Sequence, residues 1–170
     1  MSDSEKAPAP PVTEKEPSSK RVKKPAFQMT EKKGDLFSTE VNNFAQCISS
    51  DLAMNKGIVV EFNKRYGGRE NIRQKLRMME LKVGDVGVVS HHGSTLFNLV
   101  TKPTWRGSPT LATFRRSLAE LARQCQQRGV RELAMPRIGC GLDGLEWNSV
   151  RGLIEEAFVD SDVHVHVYSP

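Results

Sequence analysis

The stretch Pro136-Arg137-Ile138-Gly139-Cys140-Gly141-Leu142-Asp143 carries residue types that suit chemistry on a phosphorylated ligand. It follows the apolar run Glu132-Leu133-Ala134-Met135 and precedes a helical pattern that starts near Trp147. Glycines in a strand-to-helix turn let the backbone approach a ligand closely and visit positive φ. Successive N–H groups there can form a nest for an anion, beside the positive end of the next helix. Asp143 closes this turn. A carboxylate repels phosphate, so its position beside an anion cradle points to chemistry next to a phosphate rather than to gripping one. Two other readings stay open. Asp143 with Glu146 three residues on also fits a helix-capping pair. Gly139, Gly141 and Gly144 also match G-x-G-x-x-G, the dinucleotide-binding spacing. That motif opens a Rossmann domain and is followed by several strands. Here one helix and one strand remain after it, which argues against a nicotinamide- or flavin-dependent oxidoreductase.

A second reactive side chain is Lys102, which ends the run Leu99-Val100-Thr101 and precedes Pro103, where the backbone is biased to extended. Taken by itself it is a solvated lysine at a strand end. His164 and His166 lie on one face of a period-two segment. Two histidines can begin a metal site, but no third ligand stands near them in sequence, so a solvent-facing strand side and no metal are expected. His91 and His92 read as polar turn residues.

The elements that must position these groups follow from periodicity. Strands are expected at Gln28 to Lys32, Phe44 to Ser49, Val86 to Ser90, Leu96 to Thr101, Glu132 to Met135 and Val163 to Tyr168. Val86–Ser90 and Leu96–Thr101 flank His91-His92-Gly93-Ser94, a hairpin signal. Ile58, Val59, Phe62 and Tyr66 share one helix face, which Gly67-Gly68 ends. A short helix is expected over Glu70 to Leu76. Ser108-Pro109 reads as N-cap and first position of a helix whose core face is Leu111, Phe114, Leu118, Leu121 and Cys125, ending at Gly129. Trp147, Val150, Ile154 and Phe158 repeat that spacing. Strands alternating with helices imply an α/β protein with a mixed central sheet covered on both faces.

The chain has 170 residues and a net charge of +5. Residues 1–33 carry eight basic and five acidic side chains and almost nothing apolar, and the remainder is near neutral with 17 basic and 15 acidic. Residues 1–25 are expected to be a disordered basic tail, and residues 26–170 one domain. Lys20-Arg21-Val22-Lys23-Lys24-Pro25 resembles a nuclear-import signal or a weak nucleic-acid contact, against the alternative of a solvated charge run. The expected address is nuclear, with the cytoplasm as a further location. Three cysteines with no C-x-x-C fit a reduced compartment. No apolar stretch approaches the length of a membrane span.

Together these segments resemble the macrodomain family, and within it the enzymes that remove terminal ADP-ribose from proteins and deacylate O-acyl-ADP-ribose. The resemblance rests on Gly34-Asp35-Leu36-Phe37, Gln46-Cys47-Ile48-Ser49, Gly57-Ile58, Tyr66-Gly67-Gly68, Leu99 to Lys102, Met135 to Asp143, Trp147, Ile154-Glu155-Glu156 and Val167-Tyr168. It implies a three-layer α/β/α fold, ADP-ribose and ADP-ribosylated proteins as partners, with ADP-ribosylated nucleic acid as a further candidate. It also implies a monomer with no cofactor, and a role in reversing ADP-ribosylation in the DNA damage response.

The resemblance also assigns residues. Asp35 would hydrogen-bond the adenine amino group with Leu36 alongside, and Tyr168 to Pro170 would border the base. Ser49 and the turn at Gly57 and Ile58 would line the phosphate and distal ribose. Arg137, Ile138, Gly139, Cys140, Gly141 and Leu142 would wrap the diphosphate and distal ribose. Lys102 would attack the anomeric carbon, giving a lysyl-ADP-ribose intermediate, with Asp143 as the catalytic acid–base partner. A free lysine is neutral at pH 7 only to a fraction on the order of 10⁻³, so the carboxylate must accept a proton rather than merely sit near a cation. Asn55 and Lys56 before Gly57, and Pro170 at the adenine border, depart from the family pattern and bear on substrate choice.

Overall fold

The computed structural model describes residues 27–170, so the expectations for the basic tail lie outside the described residues. The strands are β1 Gln28–Lys33, β2 Asn43–Ser49, β3 Val86–His91, β4 Ser94–Lys102, β5 Glu132–Pro136 and β6 His164–Ser169. The helices are α1 Ile58–Arg65, α2 Arg69–Arg77, α3 Leu111–Arg128 and α4 Trp147–Ala157, with a short 3-10 turn at Leu36–Ser38. The sheet order is β1-β6-β5-β2-β4-β3. Every neighbouring pair is parallel except β3 with β4.

Both faces of this sheet are covered, which explains the near-continuous apolar runs of its inner strands. In β4, Phe97 and Leu99 face one cluster with Phe114, Leu118 and Leu121 of α3 and Val150 and Ile154 of α4. Leu96 and Val100 face the other, with Phe62 of α1 and Ile72 and Leu76 of α2. The result is three layers, α/β/α. Each fully buried aromatic or leucine side chain contributes about 1.5–3 kcal/mol. A buried polar pair sets the register of β2 on β4: Gln46 Nε2 donates to Asn98 Oδ1 at 2.9 Å, and Asn98 Nδ2 donates to the Gly87 carbonyl at 3.1 Å. The β3–β4 turn has positive φ at both His92 (51°) and Gly93 (80°), as a two-residue hairpin of the primed type requires.

Two local expectations need correction. Helix α3 is capped by Thr110, not by Ser108: Thr110 accepts from the Thr113 N–H at 3.0 Å, and Thr113 Oγ1 accepts from the Thr110 N–H at 3.1 Å. This reciprocal box outcompetes the Ser108-Pro109 start, which lacks a partner three residues on. His164 and His166 are not a solvent face. His166 is buried against Glu132 (Nε2 to Oε1, 2.6 Å), and His164 Nε2 meets Thr30 Oγ1 at 2.6 Å. Edge strand β1 covers this end of β6, which period-two reasoning cannot see. Burial, then the neighbouring His166, holds His164 below the usual histidine range, with Glu132 opposing.

Parallel pairing sends β1, β2, β4, β5 and β6 in one direction. Their carboxyl ends therefore deliver Gly34-Asp35, Ser49, Lys102, Arg137 and Tyr168 to one edge of the sheet, where open α/β sheets bind ligands.

Candidate active site

A single cleft at that edge is lined by every residue that the resemblance assigns: the adenine-side group, the two loops expected around the phosphates, and Lys102 with Asp143. It encloses about 1610 Å³. Small-molecule sites span roughly 300–1,000 Å³, so a nucleotide-sized ligand and part of what it is attached to both have room.

The reactive pair sits at one end. Lys102 Nζ donates to Asp143 Oδ1 at 2.5 Å and to the Trp105 carbonyl at 3.1 Å. Their side chains are 12% and 14% exposed. This corrects the capping alternative for Asp143. Helix α4 begins after Glu146, which makes no side-chain cap, and the Asp143 carboxylate is turned to Lys102. Residues 41 positions apart meet because β4 and β5 end side by side around β2.

The loop after β5 leaves backbone donors unused. The Cys140 N–H bonds the Arg137 carbonyl, the Gly144 N–H the Gly141 carbonyl, and the Leu145 N–H the Gly139 carbonyl. Among the described residues, the N–H groups of Gly139, Gly141 and Leu142 have no backbone partner. Unpaired donors on successive residues beside a cleft make an anion nest. Gly139 is required by geometry: its φ is 76°, and a Cβ there would lie 2.6 Å from the Phe114 ring. Gly141 has open space, so only a ligand would feel a side chain at that position. Across the cleft, Gly57 (φ 79°) opens helix α1 with no side-chain cap, leaving the first N–H groups of Ile58 and Val59 for an anion. Leu142 arches over to this turn: its Cδ1 would be 3.2 Å from a Cβ on Gly57.

At the other end, Asp35 Oδ1 accepts the Phe37 N–H at 2.9 Å, so its carboxylate caps the 3-10 turn and keeps a second oxygen for the cleft. Leu36 and Tyr168 are buried beneath it, with Pro170 exposed at the rim. Lys32 Nζ lies 5.6 Å from the centre of the Tyr168 ring. Arg137 is committed differently from the expected phosphate contact. Its guanidinium lies 5.4 Å from the centre of the Trp147 ring and 3.7 Å from Glu31. Glu31 also accepts from Trp147 Nε1 at 3.0 Å and pairs with Arg151 at 3.1 Å.

Sequence reasoning missed Asp51 and Trp105. Asp51 Oδ1 accepts from Ser49 Oγ at 2.6 Å and from the Ala53 N–H at 3.2 Å, and its Oδ2 accepts from the Trp105 N–H at 3.0 Å. Burial alone would raise this carboxyl, but those three hydrogen bonds hold it below the usual range. It thereby ties the loop after β2 to the loop after β4 and fixes the carbonyl that Lys102 uses. The available signal was Asp51 itself, placed just after a strand where its side chain can accept the Ala53 N–H in an Asx turn. Trp105 is flanked by cations, with Lys56 Nζ and the Arg106 guanidinium 5.1 and 4.9 Å from its ring centre.

Cys47 adjoins the reactive pair. Burial, then the charge of Asp143 and the nearby Cys140, pushes its thiol far up. Burial pushes Cys125 up to about 12, which lowers its thiolate fraction roughly 10³-fold against a free cysteine. Cys47 and Cys125 are therefore expected to resist iodoacetamide at pH 8 in the folded protein and to react in urea, as peptide mass spectrometry would read.

The chain is similar to several known proteins. The family description "Macro domain" matches residues 46–154. The ADP-ribose glycohydrolase OARD1 of Homo sapiens is 39% identical over 143 residues, covering 84% of this chain and 91% of that protein. The DNA ADP-ribosyl glycohydrolase of Mycobacterium tuberculosis is 27% identical over 81% of this chain and 41% of its own length. The solved macrodomain of Mycobacterium tuberculosis DarG superposes with a TM-score of 0.76 at 26% identity, covering 84% of this chain and 98% of that one.

Proposed function

The chain belongs to the macrodomain family, and from that premise we propose that it is an ADP-ribose glycohydrolase acting on acyl-linked ADP-ribose. The observation that carries this reading is the short, shielded Lys102–Asp143 pair facing an anion nest. A module that only binds ADP-ribose has no need of such a pair. Lys102 Nζ attacks the anomeric carbon of the distal ribose while that carbon's bond to the acyl oxygen breaks. The carboxylate leaves with the bonding electrons, and the Nζ proton passes to Asp143. Water then releases ADP-ribose and frees the lysine. Asp143 takes up the proton that Nζ must lose to act as a nucleophile. The diphosphate lies between Gly139–Leu142 and the start of α1, and the adenine lies near Asp35.

The test is release of ADP-ribose from peptides modified on glutamate. Binding of the modified peptide without release would instead favour a reader. The placement of the diphosphate has its own check. Gly141→Val has room in the free protein, so its melting temperature should stay within about 2 °C, whereas ADP-ribose affinity by calorimetry should fall about tenfold or more. Unchanged affinity would move the diphosphate elsewhere.

A second substrate class has a specific observation behind it. Lys56 and Arg106 bracket Trp105 at the reactive end, a cationic aromatic rim suited to the phosphates and bases that flank an ADP-ribosylated nucleotide. Turnover of ADP-ribosylated oligonucleotides that weakens with salt more steeply than turnover of peptides is the expected result. The nuclear address and a role in the DNA damage response rest on the tail sequence and the family resemblance, and both belong to this proposal.

A further inference from the structure

At the opposite end of the sheet from the cleft, β5 and β6 begin with Glu132 paired in register to His164, and His166 follows two residues on, beside Ala134. One potential ligand atom from each of Glu132, His164 and His166 lies within 4.8 Å of the other two. The imidazole rings stack with centroids 3.9 Å apart. Four residue steps along β5 lead from Glu132 to Pro136 at the cleft, or roughly 13 Å of strand. No step of the chemistry above uses this cluster.

We propose that Glu132, His164 and His166 form a site for a zinc-class divalent ion, a clasp on the edge of the sheet remote from the ADP-ribose cleft. Two imidazoles and one carboxylate are the donor set of a tetrahedral zinc site, with water in the fourth position. Ligand bonds of about 2.0–2.2 Å set neighbouring donors roughly 3.3 Å apart. The observed cluster closes to that spacing through small movements, and Glu132, with its side chain 52% exposed, is free to make them. His166 supplies the second observation. It is nine-tenths buried, and its Nδ1 has no hydrogen-bond partner. The ring is held in place by burial, and its Nε2 meets only the movable Glu132 carboxylate, so either nitrogen can be offered to an ion by a small shift of Glu132. Thr30 on the edge strand β1 already holds a ring nitrogen of His164, the kind of outer contact that fixes the orientation of a ligating imidazole. The three ligands and Thr30 come from β1, β5 and β6, so an ion would tie an edge strand to the centre of the sheet.

The cleft cysteines are the competing zinc ligands, and the experiment must separate the two. The full chain is titrated with zinc chloride by calorimetry, its melting temperature is followed, and cobalt(II) is added as an optical probe. One equivalent of zinc should bind, and the melting temperature should rise by on the order of 5–10 °C at free zinc a hundredfold above Kd. Glu132→Gln and His164→Ala each remove one ligand outside the core, and each should weaken binding at least tenfold. Cys140→Ser should leave it unchanged. Cobalt should give visible bands of nitrogen and oxygen ligation without a near-ultraviolet thiolate band. Absence of binding at micromolar zinc, equal binding by both ligand variants, or a thiolate band would overturn the proposal. Glycohydrolase activity is not the readout, so failure here leaves the reading of the cleft untouched.

Discussion

Lys102→Ala is expected to lower release of ADP-ribose from carboxyl-linked substrates by about 10³-fold or more, since the nucleophile itself is lost. Binding of ADP-ribose should survive, because the anion nest at Gly139–Leu142 and the adenine side at Asp35 lie on other loops. Lys102→Arg should be equally inactive. It keeps the charge and can still meet Asp143, but a guanidinium does not give up its proton. The pair of variants therefore separates a nucleophile from a cation that merely holds substrate. An ADP-ribose adduct on Lys102, trapped during turnover and seen by intact mass spectrometry, is the positive counterpart. Full activity in Lys102→Ala would end the covalent mechanism.

Asp143→Ala is expected to lower turnover by about 10²–10⁴-fold, the usual contribution of a positioned base. It should also destabilise the protein by up to about 3 kcal/mol, because it strands the largely shielded ammonium of Lys102. That cost comes from the ion pair and not from helix capping, which Asp143 does not do. Asp143→Asn controls for it: the amide oxygen can still accept from Lys102 but cannot take its proton. A melting curve near wild type with turnover still lost would assign Asp143 to chemistry. Recovery of turnover in the asparagine variant would reduce the residue to a positioning role.

How far each feature could be read from the chain depended on whether its cause was local. The strands and helices were legible because burial on both sheet faces leaves continuous apolar runs, and burial on one helix face leaves steps of three and four. The glycine turn was legible for the same reason, since the demand for positive φ at Gly139 lies within the turn. The meeting of Lys102 with Asp143 was not, because it depends on which strands lie side by side, and here only the family resemblance supplied it. The contacts of Arg137 with Glu31 and Trp147 were not legible, because those partners come from an edge strand and a helix beyond the turn. The burial of His166 was missed in the same way. Glu132 becomes a neighbour of His164 only through parallel pairing of segments 32 residues apart. The α3 boundary slipped by two residues because Ser108 and Thr110 are both good caps and only the reciprocal bond from Thr113 decides between them.

The sheet order has a consequence for how the protein comes into being. Strand β1 touches the rest of the sheet through β6, in a register that joins Gln28 to His164 across 136 positions of sequence. Such a distant closure is among the slowest to form, because a long loop must be ordered before any contact rewards it. Until residues up to Ser169 have left the ribosome, β1 has no place to dock, and Asp35 and Tyr168 cannot face each other. The three inner pairings among β2 to β5 can form earlier, and with them the half of the cleft that holds Lys102 and Asp143. The nucleoside end of the pocket is thus the part whose assembly depends on the longest-range pairing in the sheet, and the reactive end does not depend on it.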